Sequence, residues 1–203
     1  MISAAAETLL PFRRACMNRP RPNERALIEQ ARAHDESAFA ALVEMHAAPL
    51  FRIVHRMLAD DMETEAIVQE TFWRFWQVLP RYRSDQPLLP YLATIASNLA
   101  RDRHRRDRRI DDIPVDDLLE SVPLESDISV EQWVEDESTM HTLSRLVQEL
   151  PFNYRAVIAL RYEADMSYEQ IAASLSLPVN TVRTHLRRAK QLLRRRLEEA
   201  GNG

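Results

Sequence analysis

Apolar residues recur at steps of three and four along the first half of this chain, which is the spacing of one face of an α-helix. From Asn23 to about residue 110 these stretches predict helices. Their apolar positions are Leu27, Ile28 and Ala31; Phe39, Leu42, Val43, Met45, Leu50, Val54, Met57 and Leu58; Val68, Phe72, Phe75, Trp76 and Leu79; and Leu92, Ile95, Ala96 and Leu99. Asp35 is a predicted N-cap, whereas Pro80 ends one helix and Pro90 starts the next.

The same spacing resumes near Thr139 and continues to Glu199. A supporting helix is predicted within LPFNYRAVIALRYE, followed by a short helix capped by Ser167. Tyr168, Ile171, Ala172 and Leu175 are apolar positions of that short helix. A break over residues 174–177 leads to Pro178 and a last helix, with Ser176 where such turns usually have an easily left-handed glycine. The last helix has a stripe of Val182, Leu186, Ala189, Leu193 and Leu197. Short helix, tight turn and second helix make a helix-turn-helix pattern.

Basic residues line one side of this last helix. Arg183, Arg187, Lys190 and Arg194 repeat the apolar spacing one residue later, and Thr184, Arg188 and Arg195 form a further row. A solvated face or a membrane-surface helix is the alternative explanation. A solvated face usually mixes charges of both signs, however, and here glutamate occurs only at Glu198 and Glu199. The pattern therefore predicts a helix that enters the major groove of DNA.

Charge is distributed unevenly along the 203 residues, although the net charge is only −4. Residues 111–137 contain eleven acidic residues and no Lys or Arg, so the remaining 27 basic and 20 acidic residues carry +7. Pro114 and Pro123 also interrupt this acidic segment, which predicts a linker. Strands are hard to place anywhere. The predicted fold class is all-α: a mobile N-terminal extension (1–22), a helical domain (23–110), a flexible acidic linker (111–138) and a helix-turn-helix domain (139–199).

Composition excludes several classes of site. With glycine only at Gly201 and Gly203, the chain cannot form a glycine-rich phosphate loop, and the lone Cys16 allows no internal disulfide. No metal-ligand spacing, nucleophile–base arrangement, long apolar run or signal peptide is found. We therefore expect no cofactor, no metal, no catalysis, no small-molecule substrate, no membrane insertion and a cytoplasmic location. Either Met1 or Met17 is compatible with being the natural start.

Two separate blocks carry a resemblance to a known family. ADDMETEAIVQETFWRFW followed by PYLATIASNLARDRHRR resembles the second conserved region of bacterial extracytoplasmic-function (ECF) sigma factors. LPFNYRAVIALRYEADMSYEQIAASLSLPVNTVRTHLRRAKQLLRRRL resembles their fourth. The resemblance implies a dissociable subunit that binds RNA polymerase core, recognises the −35 and −10 promoter elements and promotes DNA opening. It also implies an anti-sigma factor as a partner.

The resemblance and the helix pattern together assign three sets of site residues. Polymerase core binding is expected at Glu63, Glu65, Gln69, Glu70 and Trp73. Contact with the −10 element is expected at Asn98, Arg101, Arg103, Arg105 and Arg106. Contact with the −35 element is expected at Thr181, Arg183, Thr184, His185, Arg187, Arg188 and Lys190. The chain departs from the family pattern at Ala66, Tyr91 and Ser97, where an acid, a tryptophan and an arginine are usual.

Two other functions remain open on the residues alone. A ligand-gated helix-turn-helix repressor is one alternative, and an enzyme domain fused to a DNA-binding domain is another. The repressor hypothesis predicts dimers that bind duplex operators tightly without polymerase. The sigma factor hypothesis predicts promoter-specific transcription in the presence of core polymerase.

Overall fold

A computed structural model describes residues 22–83, 85–107 and 137–201, and in these residues the protein contains eight α-helices and no strand. The helices are α1 (Pro22–Arg32), α2 (Glu36–Leu58), α3 (Asp61–Val78), α4 (Leu88–Asp107), α5 (Glu137–Gln148), α6 (Phe152–Ile158), α7 (Tyr168–Leu175) and α8 (Val179–Gly201). The predicted all-α class is confirmed. The predicted extension and acidic linker lie almost wholly outside the described residues.

The first four helices pack around a core of aliphatic and aromatic side chains. Phe75 of α3 is fully buried, and its ring lies 6.2 Å from Phe39, 5.5 Å from Tyr82 and 6.1 Å from Tyr91. Burial raises the pKa of the Tyr82 phenol, and the hydroxyl donates to the carbonyl of Gln86. The predicted apolar stripe of α3 is therefore the face that builds this core.

A buried carboxylate ties α1 to two other helices. Glu24 of α1 accepts a hydrogen bond from the backbone N–H of Leu88 at 2.9 Å, at the start of α4. Its other oxygen lies 3.3 Å from Nε2 of His46, inside α2. The first backbone N–H groups of a helix have no partner within the helix, so this carboxylate also satisfies one end of α4.

Side-chain caps start two of these helices. Asp35 accepts hydrogen bonds from the N–H groups of Ser37 and Ala38, which confirms the predicted cap of α2. The hydrogen bond from the Ser37 side chain is the main cause that lowers the pKa of Asp35. Asp60 caps α3 through the N–H of Glu63, a cap that the sequence pattern did not single out. The caps fix where α2 and α3 begin and hence which faces they present.

Helix α2 is long and apolar enough to cross a membrane, the only such helix among those the structure describes. One face of it is buried against the neighbouring helices through Leu42, Leu50, Ile53 and Met57.

The second half forms the predicted helix-turn-helix. Ser167 accepts a hydrogen bond from the N–H of Gln170, whose side chain in turn accepts from the N–H of Ser167, so the predicted cap is a complete capping box. Helix α6 continues into one π-helical turn, Ala159–Glu163. Tyr154 and Leu160, which precede α7, and Val182 of α8 are buried. The predicted apolar stripe of α8 is confirmed as its buried face. All of its residues are buried except Leu197, which is partly buried.

Several helices are followed by a residue in the left-handed backbone conformation, although this chain has almost no glycine. His34, Ala59, Asp165 and Ser176 all have positive φ, and each lies just after a helix or the π turn. At Ser176 (φ 54°, ψ 44°) the N–H groups of Ser176 and Leu177 bond back to carbonyls of α7. Ser176, in the turn between α7 and α8, therefore adopts the left-handed backbone conformation although it is not glycine. Its Cβ atom makes this conformation sterically less favourable than it would be for glycine.

Replacing Ser176 with glycine is expected to raise the free energy of unfolding by about 0.5–1 kcal/mol, because glycine adopts the left-handed region without strain. Ala173→Gly is the control, since residue 173 is an exposed position inside α7 and glycine there should lower stability by about 1 kcal/mol. Denaturant unfolding of both variants measures the two effects. Equal destabilisation by both would contradict this account of the turn.

The two halves of the chain are packed against each other. Helices α2 and α4 of the first half contact α5, α6, α7 and the π turn of the second half. The buried apolar side chains of both halves form one continuous core. The acidic segment that separates the halves in sequence therefore does not separate them in space.

Candidate nucleic-acid and protein interfaces

The first half of α8 presents a cationic surface, which we name the α8 front: Thr181, Arg183, Thr184, Arg187 and Arg188. Arg183 and Arg187 are exposed, whereas Thr181, Thr184 and Arg188 are half-buried beside them. The hydroxyl of Thr184 donates to the carbonyl of Asn180 at 2.9 Å, which leaves its methyl group and oxygen lone pairs for other contacts. The structure thus brings the expected −35 residues together on one face, close to the turn.

An aromatic ring from α7 underlies one of these arginines. The guanidinium carbon of Arg183 lies 5.8 Å from the ring centroid of Tyr168, and that of Arg161 lies 5.4 Å from the same ring. Arg161 also donates to the carbonyl of Met166 at 2.8 Å. Cation–π attraction at these distances favours one orientation of Arg183. The pKa of neighbouring Glu169 is lowered, chiefly because its carboxylate accepts hydrogen bonds from its own backbone N–H and from the Ser167 side chain, with Arg183 adding to the effect.

Basic residues in the second half of α8 are engaged within the protein. Arg194 and Arg195 form ion pairs with Glu198 and Glu199 one turn later, at 2.8 and 3.0 Å. Arg196 reaches Glu149, just beyond α5, at 3.0 Å. These carboxylates offset the positive charge of the C-terminal half of the helix. The net positive charge is therefore concentrated in the N-terminal half.

Two expected −35 residues lie at the edge of the α8 front. The ring of His185 packs edge-on against buried Tyr154 at 5.4 Å, and its Nδ1 atom is buried. Only the rest of that ring is available to DNA. The ammonium group of Lys190 lies 5.8 Å from the ring centroid of Tyr162. Both residues are thus partly committed to the domain itself.

Helix α4 carries the expected −10 residues, several of which contact other parts of the chain. Asn98 donates to the carbonyl of Thr94 and accepts from Arg101 at 2.8 Å. Arg101 also donates to the carbonyl of Leu175, and Arg103 forms an ion pair with Glu63 of α3. Arg105 and Arg106 are exposed near the end of α4. Arg101 and Arg103 are therefore held by other helices, whereas Arg105 pairs only within α4, with Asp102 at 3.6 Å, among the contacts given for it.

Four of the five expected core-binding residues share the outer face of α3. Glu65 and Gln69 are exposed one turn apart, and Glu70 pairs with Arg74 at 2.8 Å. Trp73 is 59% exposed, which is unusual for tryptophan. Glu63 lies apart from this group because it turns towards Arg103.

A groove of about 940 Å³ runs beside this face, between α2 and α3, and we name it the α2–α3 groove. Its lining includes Phe39, Val43, Ala47 and Phe51 from α2 and Val68, Phe72, Trp73 and Trp76 from α3. Glu36, Glu65 and Gln69 also line it, so a mainly apolar trough carries acidic and polar groups. Such a trough suits an apolar helix face with basic neighbours.

Sequence reasoning missed the α2 wall of this groove. Its residues Phe39, Val43, Ala47 and Phe51 follow one another at four-residue spacing, one position after the buried stripe Ala38, Leu42, His46 and Leu50. The sequence did contain a signal for this wall, because the apolar face of α2 is wider than packing against the core requires. Among the described residues, no cluster of three His, Cys, Asp or Glu side chains could hold a metal ion.

Comparison with protein families places two known regions on the two halves. The family model described as Sigma-70 region 2 matches residues 42–110, which include α3 and α4. The model described as Sigma-70, region 4 matches residues 140–193, which include the helix-turn-helix. The matches occur in this order and leave the acidic segment between them unmatched.

Individual relatives cover most of the chain. The ECF RNA polymerase sigma factor SigW of Bacillus subtilis (strain 168) is 28% identical over 180 residues, 85% of this chain and 95% of that protein. The structure of CnrH in complex with the cytosolic domain of CnrY is similar with a TM-score of 0.56 and 26% identity, covering 87% of this chain and 98% of that one. The sigma factor RpoE of Bartonella quintana, in complex with the anti-sigma factor NepR, shares the fold, with a TM-score of 0.57, 22% identity and coverage of 79% and 96%.

Proposed function

This chain belongs to the ECF sigma factors of the sigma-70 family, and from that premise we propose how its surfaces divide the work of transcription initiation. As a sigma factor it binds RNA polymerase core, recognises the −35 and −10 promoter elements and promotes DNA opening. The observation that carries this function is the presence of both sigma regions, in order, in one chain. A ligand-gated repressor is not favoured, because the helix-turn-helix alone does not account for the matched first half.

Run-off transcription with purified core polymerase tests the function directly. Promoter-specific transcripts should appear only when the chain is added to core. A repressor would instead bind duplex DNA as a dimer in the absence of polymerase and would not create promoter-specific initiation. Detection of that behaviour, without promoter-specific transcripts, would overturn the assignment.

The two DNA-binding roles follow the two halves. Residues 139–199 form the −35-reading domain, in which the α8 front enters the major groove and arginines pair with guanine edges. Residues 23–110 form the domain for core binding and the −10 element, with α4 directed at DNA. Residues 111–138 connect them, and residues 1–22 extend from the first. The support is the exposed cationic start of α8 and the arginine-rich end of α4.

The outer face of α3 and the adjoining α2–α3 groove form the polymerase-binding surface. An exposed tryptophan beside an apolar trough is typical of protein interfaces, where aromatic side chains supply much of the binding energy. Glu65 and Gln69 at the rim add charge and hydrogen-bonding complementarity for a partner helix. Glu63 already pairs with Arg103 through one carboxylate oxygen, so it would contact core alongside this ion pair.

Combining Glu65→Lys with Gln69→Ala is expected to weaken binding to polymerase core about tenfold, because one interface charge is reversed and one polar contact is lost. Both side chains are exposed, so the fold should be unchanged. Competition with a labelled wild-type chain for core measures the effect. The matched control is Glu29→Lys with Gln30→Ala, the same two changes at exposed positions of α1. Equal competition by both double variants would show that the α3 face does not bind core.

Three further properties follow from this function. We propose an anti-sigma factor as a third partner, in line with the family resemblance and with the relative CnrH, whose structure contains the cytosolic domain of CnrY. The chain itself has no catalytic activity, because the polymerase performs the chemistry. It acts in the cytoplasm, where promoter DNA and polymerase are found.

A further inference from the structure

The tyrosines of the second half each contact one polar side chain of α8. The pairs are Tyr154 with His185, Tyr162 with Lys190, and Tyr168 with Arg183. Tyr154 is buried and belongs to the core, whereas Tyr162 and Tyr168 are only partly buried. The last two rings therefore lie where the core meets the cationic side of α8.

Tyr168 is held in place at the start of α7. It is the first residue of that helix, and the capping box of Ser167 and Gln170 fixes where the helix begins. Its ring also packs against the core. The guanidinium carbon of Arg161 lies 5.4 Å from the ring centroid, and Arg161 is itself fixed by its hydrogen bond to the carbonyl of Met166. The position of this ring is therefore set before any DNA is bound.

Arg183 is the side chain that this ring can order. Its guanidinium carbon lies 5.8 Å from the ring centroid, within the range of cation–π attraction. The carboxylate of Glu169, which accepts hydrogen bonds from its own N–H and from the Ser167 side chain, also attracts the guanidinium. Arg183 is otherwise exposed, and a long exposed side chain loses rotational freedom when a ligand immobilises it. A contact that already restricts Arg183 makes that loss smaller.

We propose that Tyr168 is a positioning residue for −35 recognition, because its ring holds Arg183 in the orientation that reaches a base edge. The inference rests on the proposed function, which assigns Arg183 to the base-reading part of α8. Two parallel hydrogen bonds to guanine require a guanidinium plane at one angle, whereas a phosphate accepts a cation from many directions. Tyr168 therefore changes which base is preferred, and it does so through Arg183.

Tyr162 gives a matched comparison on the same helix. The ammonium group of Lys190 lies 5.8 Å from the Tyr162 ring centroid, the same distance as in the pair of Tyr168 and Arg183. Lys190 is about two turns further along α8, and its ammonium is a compact charge without the fixed plane of a guanidinium. The ring of Tyr162 should therefore support DNA affinity without adding base preference.

Removing the ring while keeping an apolar side chain tests this. Tyr168→Leu should lower discrimination about threefold at the base pair whose preference is lost in Arg183→Ala, as expected for a cation–π contact at an exposed site. Tyr168→Phe keeps the ring and should retain the preference. Tyr162→Leu is the control and should change activity evenly at all base pairs. Transcription from a promoter library randomised across the −35 element, with each variant and core polymerase, measures these effects.

A double variant tests whether Tyr168 acts through Arg183. In a chain that carries Arg183→Ala, adding Tyr168→Leu should cause no further change in base preference, because the side chain that the ring orders is gone. Additive changes in preference would overturn the inference.

Three other outcomes also overturn it. An even loss of activity in Tyr168→Leu would show that the residue supports only the fold or the affinity for DNA. Equal loss of preference in Tyr168→Phe would assign the effect to the hydroxyl group. Unchanged preference in Arg183→Ala would show that Arg183 reads no base. If the wild-type chain gives no promoter-specific transcript, the proposed function itself fails, so the two failures are distinguishable.

Discussion

Replacing Arg187 with alanine is expected to relax promoter preference at one or two base pairs of the −35 element, by roughly tenfold. Arginine can form two parallel hydrogen bonds to O6 and N7 of guanine, and a good pair discriminates by about 1–3 kcal/mol. Arg187 is exposed in the first half of α8, the part of the recognition helix that reaches base edges. Transcription from a promoter library randomised across the −35 element, with the variant and core polymerase, measures the change base pair by base pair.

Arg195→Ala is the matched control for this prediction. Arg195 lies two turns further along the same helix, is 76% exposed and pairs with Glu199. Its loss should reduce activity evenly over all sequences, or not at all, because a contact with phosphate carries no base preference and weakens with salt. If Arg187→Ala also lowers activity evenly, the helix grips only the DNA backbone, and the assignment of base readout to Arg187 is wrong.

Truncating Phe75 to alanine should lower the free energy of unfolding by about 3–5 kcal/mol, which is a large part of the stability of a small domain. The side chain is 0% exposed and touches three other aromatic rings, from α2, the loop after α3, and α4. Its removal leaves a cavity at the point where these elements meet. Chemical denaturation followed by circular dichroism measures the loss.

Trp73→Ala provides the contrast on the same helix. Trp73 is two residues earlier but 59% exposed, so its truncation should change stability by no more than about 0.5 kcal/mol. By the proposed function, the same change should weaken core binding. If the two variants were equally unstable, the division of α3 into a core face and a polymerase face would not hold. A stable Trp73→Ala chain that bound core normally would leave the fold account intact and remove Trp73 from the interface.

Much of the fold was predictable because it depends on spacing along the chain. The stripe of Val182, Leu186, Ala189 and Leu193 turned out to be the buried face of α8, and Asp35 and Ser167 cap the helices they were expected to cap. Side chains three or four residues apart must share a helix face, and caps act within one turn. The helix-turn-helix and the cationic face of α8 follow from the same local rules.

The interface residues were less predictable where a helix has an apolar face wider than packing against the core requires. Phe39, Val43, Ala47 and Phe51 of α2 pack against the edge of the core, and they also line the α2–α3 groove. His185 has the spacing of a DNA-facing residue, but its ring rests on Tyr154. Helical spacing indicates which way a side chain points and does not indicate what lies there.

The sequence by itself determined the all-α class, the placement of most helices, the cationic front of α8 and, through two recognisable blocks, membership in the sigma factor family. Only the tertiary structure decided that the two halves share one core, that Arg101 caps α7, and that Arg103 pairs with Glu63. The physical reason is distance along the chain. Local periodicity records interactions within a few residues, whereas the contact between Ser97 and Ser174 joins positions 77 residues apart, for which no local pattern carries a signal.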